Sequence, residues 1–471
     1  MTHFDLVIIG TGSGNSIPGP EFDDKSIAIV EDGLFGGTCL NAGCIPTKMF
    51  VHPADLADGI RDAGRLGVTG RVDSVDWPGM RNRIFGRIDA IEAGGRAYRT
   101  GPETPNITVF AGRGKFVGPK ELRVTLHDGS TTTITGEQWV LAAGSRPVIP
   151  DIPGLSEVDF HTSDSIMRLA DLPASVTILG GGYIAAEFAH VFASFGCEVT
   201  QVVRGPALLR SHDADISAAF TAAASRRYRV LTDCRINKIS RSDAPGGGIT
   251  LDITRPEGPV TVTSQVLLVA TGRIPNGADL GVEATGVDLD EDGLVVVDEY
   301  QRTKVPGIYA LGDISSHWAL KHVANHEARV VKHNLAQPDS LLAADHRFVP
   351  AAVFTHPQIA SVGPTERQLK ESGRPYAVKT QAYGDIAAGW AREDTENFLK
   401  VLGDPVTGKL LGAHVIGPEA ATVIQPLIQA MHFDQTAHQV ARGQYWIHPA
   451  LTELVENALL GLPDPTYSDQ V

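Results

Sequence analysis

The chain opens with a short apolar run that ends among glycines, Phe4-Asp-Leu-Val-Ile-Ile-Gly10-Thr-Gly12-Ser-Gly14. Such a run predicts a buried β-strand, and the glycines let backbone N–H groups approach a pyrophosphate at the start of a helix. Glu31 follows the next apolar run, residues 26–30, and stands 21 residues after Gly10, near the roughly 20 expected for an acid that binds a ribose hydroxyl. The stretch therefore predicts a dinucleotide-binding βαβ unit at the three glycines and Glu31.

One residue departs from the usual glycine spacing of this turn. Asn15 stands where the third small residue is expected, and Pro18 and Pro20 follow it. Proline lacks the N–H that a helix interior requires, so an ordinary long helix cannot run through this segment. We expect a short or displaced helix after the first strand.

A second apolar run, residues 176–179, leads into Gly180-Gly-Gly182-Tyr-Ile-Ala185 and predicts a second dinucleotide site at Gly180, Gly182 and Ala185. The following run, residues 198–203, ends without a carboxylate, and Arg204 and Arg210 come after it. Guanidinium groups suit a 2′-phosphate, which favours NADPH over NADH. The alternative is a pair of solvated surface arginines.

The most informative stretch is Gly36-Gly-Thr-Cys39-Leu-Asn-Ala-Gly-Cys44-Ile-Pro-Thr-Lys48. Two cysteines five residues apart in a regular helix would be separated by about 7.5 Å. This exceeds the roughly 4.4–6.8 Å between the Cα atoms of a disulfide. A Cys39–Cys44 bond therefore needs a distorted backbone, for which Asn41 and Gly43 are suited; two unlinked buried thiols are the alternative.

The other cysteines and the helix after Cys44 complete this interpretation. If Pro46 lies in the first turn of a helix, Cys44 is at the helix N-terminus, where the dipole favours a thiolate. Cys197 and Cys234 have no partner pattern, so we predict core thiols.

A second candidate for proton transfer lies near the C-terminus, in His448-Pro-Ala-Leu-Thr-Glu453. An imidazole is suited to protonating a departing thiolate near neutral pH, and a carboxylate can hold its tautomer. An isolated His-Pro is more often an ordinary turn, so this interpretation depends on the cysteine stretch.

Composition excludes several classes of protein. Among 471 residues, 55 are acidic and 40 basic, and the net charge of -15 argues against nucleic acid as the main partner. The most apolar stretch, residues 176–196, contains Glu187 and reads as a buried strand and helix rather than a membrane span. We expect a cytoplasmic enzyme without a metal site, because the N-terminus lacks a secretory signal pattern and four cysteines are too few for a disulfide framework.

Several motifs occur together and in order along the whole chain: the cysteine stretch, both glycine turns, Ala270-Thr-Gly-Arg-Ile-Pro-Asn276, Tyr309-Ala-Leu-Gly-Asp313, Val353-Phe-Thr-His-Pro357, and His448 through Glu453. In this the chain resembles the FAD-dependent pyridine nucleotide–disulfide oxidoreductases. The resemblance implies an α/β fold with two Rossmann-like dinucleotide-binding domains and a C-terminal α+β dimerisation domain. The expected boundaries are 1–149 for the first part of the FAD-binding domain, 150–273 for the NADPH-binding domain, 274–345 for the second, central part of the FAD-binding domain, and 346–471 for the interface domain.

The resemblance also implies roles for individual residues. Glu31 would hold the adenosine ribose of FAD and Asp313 its ribityl chain, while Lys48, paired with Glu187, would lie near the flavin ring. Lys48 is the fourth residue after Cys44, because the third is Thr47. Further cofactor contacts are expected at Gly37, Thr38, Gly144 and Gly272. His448 and Glu453 would act across the interface of a homodimer.

The implied reaction passes electrons from NADPH through FAD to a Cys39–Cys44 disulfide. Cys44 would contact the flavin, Cys39 would attack a small-molecule disulfide, and His448 would protonate the leaving thiol.

Three substrates remain open. Dihydrolipoamide oxidation would normally need an acid where Val203 stands, and glutathione disulfide would need cations near the cysteines, where Lys48 is the only one between residues 27 and 60. The symmetrical disulfide of a cysteinyl pseudodisaccharide thiol fits this pattern better. An FAD-binding interaction or sensor module, from a different class, would leave the second nucleotide site and His448 unexplained.

Overall fold

The computed structural model of the chain describes residues 1–242 and 247–465. Residues 243–246 of the predicted NADPH segment and residues 466–471 of the predicted interface segment lie outside the described residues. Within the described ranges the strands are β1 (Thr2–Ile9), β2 (Ile27–Glu31), β3 (Ile107–Gly118), β4 (Glu121–Leu126), β5 (Thr131–Leu141), β6 (Ser145–Pro147), β7 (Ser175–Leu179), β8 (Glu198–Val202), β9 (Arg229–Leu231), β10 (Arg235–Arg241), β11 (Ile249–Arg255), β12 (Gly258–Ser264), β13 (Val266–Val269), β14 (Arg273–Pro275), β15 (Ile308–Ala310), β16 (Pro350–Val353), β17 (Ile359–Val362), β18 (Ala377–Ala382), β19 (Phe398–Gly403) and β20 (Leu410–Ile416).

The α-helices of the same ranges are α1 (Gly37–Asn41), α2 (Cys44–Asp62), α3 (Trp77–Thr100), α4 (Tyr183–Ser194), α5 (Ala214–Arg227), α6 (Gly277–Leu280), α7 (Lys321–Ala336), α8 (Glu366–Ser372), α9 (Ala387–Trp390), α10 (Ala420–Val423), α11 (Gln425–His432), α12 (Ala437–Arg442) and α13 (Glu453–Leu460). No described helix is both long and apolar enough to cross a membrane.

The first sheet is built around β1, which lies between β2 and β5 in parallel register. β3 continues the parallel array beside β2, and β15 joins it beside β5, so the chain returns to this sheet after residue 300. β4 pairs in antiparallel register with the C-terminal half of β3 and with the N-terminal half of β5. The four apolar residues of β2 are buried, as expected for a parallel strand covered on both faces.

The segment between β1 and β2 holds two 3₁₀ turns, Ser13–Ser16 and Pro20–Phe22, in place of an α-helix. The expected shortened helix is thus confirmed, because the prolines interrupt the helical hydrogen-bond ladder. Arg99 of α3 holds Asn15 in place. Its guanidinium donates to the side-chain oxygen of Asn15 at 2.8 Å and to the backbone carbonyl oxygen of Asn15 at 2.7 Å.

The second unit repeats the βαβ arrangement. β13, β7, β8 and β9 form a parallel sheet in that order, with α4 between β7 and β8 and α5 between β8 and β9. β10, β11 and β12 add an antiparallel sheet. The two stretches that connect this unit to the first, β6 and β14, pair with each other in antiparallel register.

The third unit is an antiparallel sheet in the order β16-β17-β20-β19-β18, with helices α10 to α13 packed against it in one apolar core. α10 and α11 follow each other closely as two separate helices, because Pro426 cannot donate to a continuous helical ladder. The structure confirms the expected α/β class, with two Rossmann-like units and a third α+β unit.

The cysteine helix is packed against the second unit. α2 lies against α4, and the rings of Phe50, Trp77 and Phe192 stack in succession with centroid separations of 4.8 and 5.7 Å. Since these aromatic side chains are almost fully buried, the position of α2 is determined by a core that both nucleotide-binding units share.

Candidate active site

A large cavity of about 1300 Å³ lies at the carboxyl ends of the first parallel sheet. The predicted residues that line it are Gly10, Gly12, Glu31, Gly37, Thr38, Cys39, Cys44, Lys48, Gly144, Glu187 and Asp313. The volume exceeds the roughly 300–1,000 Å³ typical of drug-sized ligands, so it is adequate for a dinucleotide. The lining thus brings the first glycine turn and both cysteines to one space.

The first glycine turn is shaped by close backbone approaches. Gly10 has φ +101°, and a Cβ there would lie 2.2 Å from the carbonyl oxygen of Ala142. A Cβ on Gly37 would lie 2.7 Å from the Cα of Gly12, so the cysteine loop contacts the turn directly. Gly14 does not line the cavity; its backbone packs against the side chains of Ala142 and Ile8.

Glu31 is held in place at the cavity by three hydrogen bonds. Its Oε2 accepts from the Thr11 amide at 2.8 Å and from the Thr11 hydroxyl at 2.5 Å, and its Oε1 accepts from the Gly33 amide at 2.8 Å. The Thr11 hydroxyl also accepts from the amide of Gly36, which starts the cysteine loop. The carboxylate therefore has a fixed position at the end of β2.

Asp313 faces the cavity from the first turn after β15. Its Oδ2 accepts from the Ser145 hydroxyl at 2.6 Å, and Ser145 is held in turn by the Arg273 guanidinium at 2.7 Å. No atom outside the adjoining residues lies within 4 Å of a Cβ built on Gly144, so the backbone there is open to the cavity. Gly272 itself does not line the cavity, whereas Arg273 does.

The two cysteines meet because the helix between them is broken. α1 ends at Asn41 and α2 begins at Cys44. A Cβ on Gly43 would lie 2.9 Å from the Thr38 carbonyl oxygen and 3.2 Å from the Cα of Cys39, so the chain folds back tightly at this glycine. Cys39 and Cys44 are both free thiols in this structure. The distorted backbone expected between them is present.

The two sulfurs differ in acidity. Hydrogen bonding to the Cys44 thiol, together with the charge of Lys321 and the backbone N–H groups of Cys44 and Ile45, lowers the pKa of Cys39 to about 7. The same contact with Cys39 raises the pKa of Cys44. The sequence favoured a dipole-stabilised thiolate at Cys44; in the structure the lowered pKa is that of Cys39, chiefly because Cys44 hydrogen-bonds to its sulfur.

Lys48 and Glu187 both line the cavity, but the two described side chains form no ion pair. The ammonium of Lys48 lies 4.0 Å from the centroid of the Phe354 ring, and the Glu187 carboxylate accepts from the Phe354 amide at 2.9 Å. Burial raises the pKa of Glu187 to about 7. Phe354 thus contacts both side chains, and the charge of Lys48 opposes the rise in the pKa of Glu187.

The second glycine turn lies outside the cavity lining. A Cβ on Gly180 would lie 2.1 Å from the Ala270 carbonyl oxygen, Gly182 precedes α4 with open space around it, and Ala185 is fully buried. Arg204 and Arg210 are exposed after β8, and neither has a hydrogen-bond or ion-pair partner among the described residues.

The loop that carries these arginines is anchored at its end. Asp213, at the start of α5, accepts a hydrogen bond at 2.9 Å from the buried ammonium of Lys400 in β19. Asp215 and Glu366 accept from the same ammonium, each at 2.6 Å. The loop is therefore tied to the third unit.

His448 and Glu453 form a pair on the surface of the chain. Nδ1 of His448 lies 2.7 Å from Oε1 of Glu453, and the imidazole is 70 % exposed. The second carboxylate oxygen of Glu453 is buried without a partner among the described residues. Tyr445 and Ile447 beside them are 102 % and 76 % exposed. This pair does not line the cavity that holds the cysteines of its own chain.

Some cavity residues were missed from the sequence. Three of them, Ser145, Tyr183 and Arg273, directly follow glycines of the recognised turns. Their position next to those glycines could have predicted that they line the cavity. Lys321, at the start of α7, stands in no glycine motif, and its approach to the cavity results from the fold alone.

Comparison with known proteins agrees with this geometry. Residues 4–328 match the family described as pyridine nucleotide-disulphide oxidoreductase, and residues 349–459 match its dimerisation domain. The chain is 51 % identical over 98 % of its length to a mycothione reductase of Mycobacterium tuberculosis (strain CDC 1551 / Oshkosh), all of which is covered. It is 35 % identical over 96 % of its length to a mercuric reductase of Streptomyces lividans, of which 94 % is covered. A solved Cu(II) complex of the HOCl-induced flavoprotein disulfide reductase RclA from Escherichia coli is similar with a TM-score of 0.84 and 26 % identity, covering 98 % of this chain and 99 % of that one.

The tight turn at Gly43 leads to a testable prediction. Gly43→Ala should oppose the approach of Cys39 to Cys44, because the added methyl would meet backbone atoms, and such overpacking costs about 1–3 kcal/mol. We expect a smaller fraction of the linked form when the protein is equilibrated in a thiol–disulfide buffer and its free thiols are counted. Gly59→Ala in α2, where a Cβ meets nothing within 4 Å, is the matched control and should oxidise normally. Unchanged oxidation of the Gly43 variant would contradict the assigned role of this turn.

Proposed function

The chain belongs to the pyridine nucleotide–disulphide oxidoreductase family, and on this premise we propose that it reduces mycothione to two mycothiols with electrons from NADPH. The observation that carries the proposal is the pair Cys39 and Cys44 at one cavity with a dinucleotide turn. The substrate name comes from the 51 % identical relative, which matches nearly the full length of the chain.

The cavity residues fit FAD as the resident cofactor. Backbone groups at Gly10, Gly12 and Gly144 are open to the cavity, and the carboxylates of Glu31 and Asp313 are available to ribose and ribityl hydroxyls. Gly37 and Thr38, at the start of α1, complete the lining beside the cysteines. When bound, FAD supplies the two-electron chemistry that connects a nicotinamide to a disulfide.

The domain assignment made from the sequence remains part of this proposal. Residues 1–149 and 274–345 are assigned to FAD binding, supported by the parallel array that β1, β2, β5 and β15 share. Residues 150–273 are assigned to NADPH binding and residues 346–471 to the subunit interface, each supported by a separate sheet.

The thiol chemistry follows from the unequal acidity of the cysteines. A Cys39 thiolate attacks one sulfur of the substrate disulfide, which forms a mixed disulfide and breaks the substrate S–S bond. A pKa of about 7 suits this attack, because a thiol whose pKa is near the ambient pH combines thiolate content with nucleophilicity. Cys44 then loses its proton and attacks Cys39, which releases the second thiol and forms the Cys39–Cys44 disulfide. Two electrons from NADPH return that disulfide to the dithiol.

The leaving thiolate needs a proton, and His448 is the proposed donor. Its Nδ1 is held by Glu453, so Nε2 is the nitrogen available for transfer. The exposure of this pair, its distance from the cavity lining and the dimerisation domain over residues 349–459 support a homodimer in which each His448 serves the cysteines of the partner.

NADPH is the proposed electron donor because the second nucleotide turn is followed by two arginines that have no partner in the described part of the chain. Gly180, Gly182 and Ala185 provide the turn, and Gly272 lies at the end of the adjacent strand. The free guanidinium groups of Arg204 and Arg210 are suited to a 2′-phosphate.

We also assign this enzyme to the cytoplasm, with no nucleic-acid or membrane partner. The support is the acidic composition and the low cysteine content of the chain.

Comparing substrates side by side tests the proposed function. With NADPH in excess, kcat/KM for mycothione should exceed the values for glutathione disulfide and lipoamide by a factor of about 100 or more, since loss of hydrogen bonds that a site makes to its substrate costs up to about 10⁴–10⁵. Cys39→Ser should abolish turnover, whereas Cys197→Ser, which removes only a buried core thiol, should retain it. Preference for glutathione disulfide or lipoamide would overturn the substrate assignment.

The position of His448 across the interface can be tested by mixing subunits. Cys39→Ser and His448→Ala homodimers should each lose turnover, since removing a general acid costs about 10²–10⁴ in rate. Co-expressed heterodimers contain one intact site, and a statistical mixture should regain about one quarter of the normal activity. If His448 serves its own chain, mixing would restore nothing.

The two arginines predict a difference between the nicotinamide donors. Arg204→Ala with Arg210→Ala should raise KM for NADPH by about 10- to 100-fold, because charge-assisted hydrogen bonds contribute about 1.5–3 kcal/mol. KM for NADH should change little. Arg241→Ala, which removes an exposed arginine paired with Asp159 in the same unit, is the control. Equal effects on both donors would exclude recognition of the 2′-phosphate.

A further inference from the structure

Lys321 connects α7 to the first glycine turn. Its ammonium donates a hydrogen bond to the Ser13 hydroxyl at 2.8 Å, and Ser13 lies directly after Gly12. The Ser13 hydroxyl donates in turn to the Asn325 side-chain oxygen at 2.9 Å. Since Lys321 and Asn325 are one helical turn apart, α7 presents both groups to the same hydroxyl.

The charge of Lys321 is not neutralised by the protein. Among the described residues it forms no ion pair with a carboxylate. The other basic side chains at the cavity are engaged elsewhere; Lys48 lies over the Phe354 ring and Arg273 donates to Ser145. A half-buried ammonium without a carboxylate partner favours an anionic ligand. The anion would compensate for the water that the ammonium loses on burial.

The glycine turn beside Lys321 lacks the usual source of positive potential. In a Rossmann-like turn, the N-terminus of a long helix provides N–H groups and a dipole for a pyrophosphate. Here the turn is followed by the four-residue 3₁₀ segment Ser13–Ser16, which aligns few peptide dipoles. The prolines that shorten this helix therefore leave a deficit of positive charge at the place where a diphosphate would bind.

We propose that Lys321 binds the diphosphate of FAD at Ser13 and supplies the positive charge that the shortened helix does not provide. This inference rests on the assignment of FAD to the cavity. Lys321 is then a cofactor-binding residue, with Ser13 and Asn325 holding its ammonium in position.

The same charge also acts on the cysteines, since Lys321 contributes to lowering the pKa of both Cys39 and Cys44. A role confined to the thiols would leave FAD affinity unchanged, so the two roles can be separated by measuring cofactor binding without turnover.

The experiment titrates FAD into apoprotein prepared from the full chain and follows flavin fluorescence. Lys321→Met should weaken FAD binding by about 10- to 100-fold, the effect expected for one charge-assisted hydrogen bond. Lys321→Arg should retain most of the affinity. The affinity of the wild-type protein should fall as salt is raised, and that of the Met variant should fall less, because screening acts on the charge that was removed.

Two controls make the outcome specific. Lys332→Met removes another lysine of α7, which is paired with Glu21, and should leave FAD affinity unchanged. ADP, which carries the diphosphate, should bind less well to the Lys321→Met variant, whereas riboflavin, which carries none, should bind equally to both proteins. Thermal unfolding of each apoprotein checks that the variants are folded.

The results separate this inference from the assignment of FAD. If wild-type protein binds FAD and Lys321→Met binds it within twofold, the role of Lys321 is overturned while the cofactor assignment stands. If Lys321→Met shifts only the pH dependence of Cys39 alkylation, the lysine acts on the thiols and not on the diphosphate. Failure of wild-type protein to bind FAD would overturn both.

Discussion

The close contact between Gly12 and Gly37 is the constraint on which the rest of the site depends. A side chain on Gly37 would begin 2.7 Å from the Gly12 Cα, so only glycine allows the two backbones to meet. This contact joins the turn after β1 to the loop that carries Cys39. As a result, a redox-capable cysteine pair lies in the same cavity as a nucleotide-binding turn, although the two motifs come from separate segments of the chain.

The second feature is the unequal environment of the two sulfurs. The hydrogen bond between the two sulfurs lowers the pKa of Cys39 and raises that of Cys44, and the first N–H groups of α2 add to the effect on Cys39. In such a dithiol the more acidic sulfur can attack the substrate disulfide, and the other sulfur can then resolve the mixed disulfide. Glu187 lies nearby with a pKa raised to about 7, so it titrates in the range in which Cys39 ionises. Burial is the largest cause of this rise in pKa, the charge of Cys44 adds to it, and the charge of Lys48 opposes it.

Much of the fold was predictable because the signals were local. Apolar runs that end in glycine predicted β1 and β7, and the two prolines predicted that the helical segment between β1 and β2 would be short or displaced. The predicted pairing of Lys48 with Glu187 is not a direct ion pair among the described residues, and Phe354, which is distant in sequence, contacts both side chains. The lowered pKa of Cys39 was not predicted, because it depends chiefly on the hydrogen bond with Cys44, which forms only where the loop before α2 folds back.

The sequence by itself determined which residues can do this chemistry: glycines that permit close backbone contact, two cysteines at a spacing that excludes a regular helix, and a carboxylate at the end of β2. Those properties belong to residue types and their neighbours, and they do not require knowledge of distant contacts. Only the tertiary structure decided that Lys321 reaches Ser13, that Phe354 contacts both Lys48 and Glu187, and that His448 does not line the cavity of its own chain. These facts depend on packing between segments hundreds of residues apart, and side-chain contacts of that kind leave no local pattern.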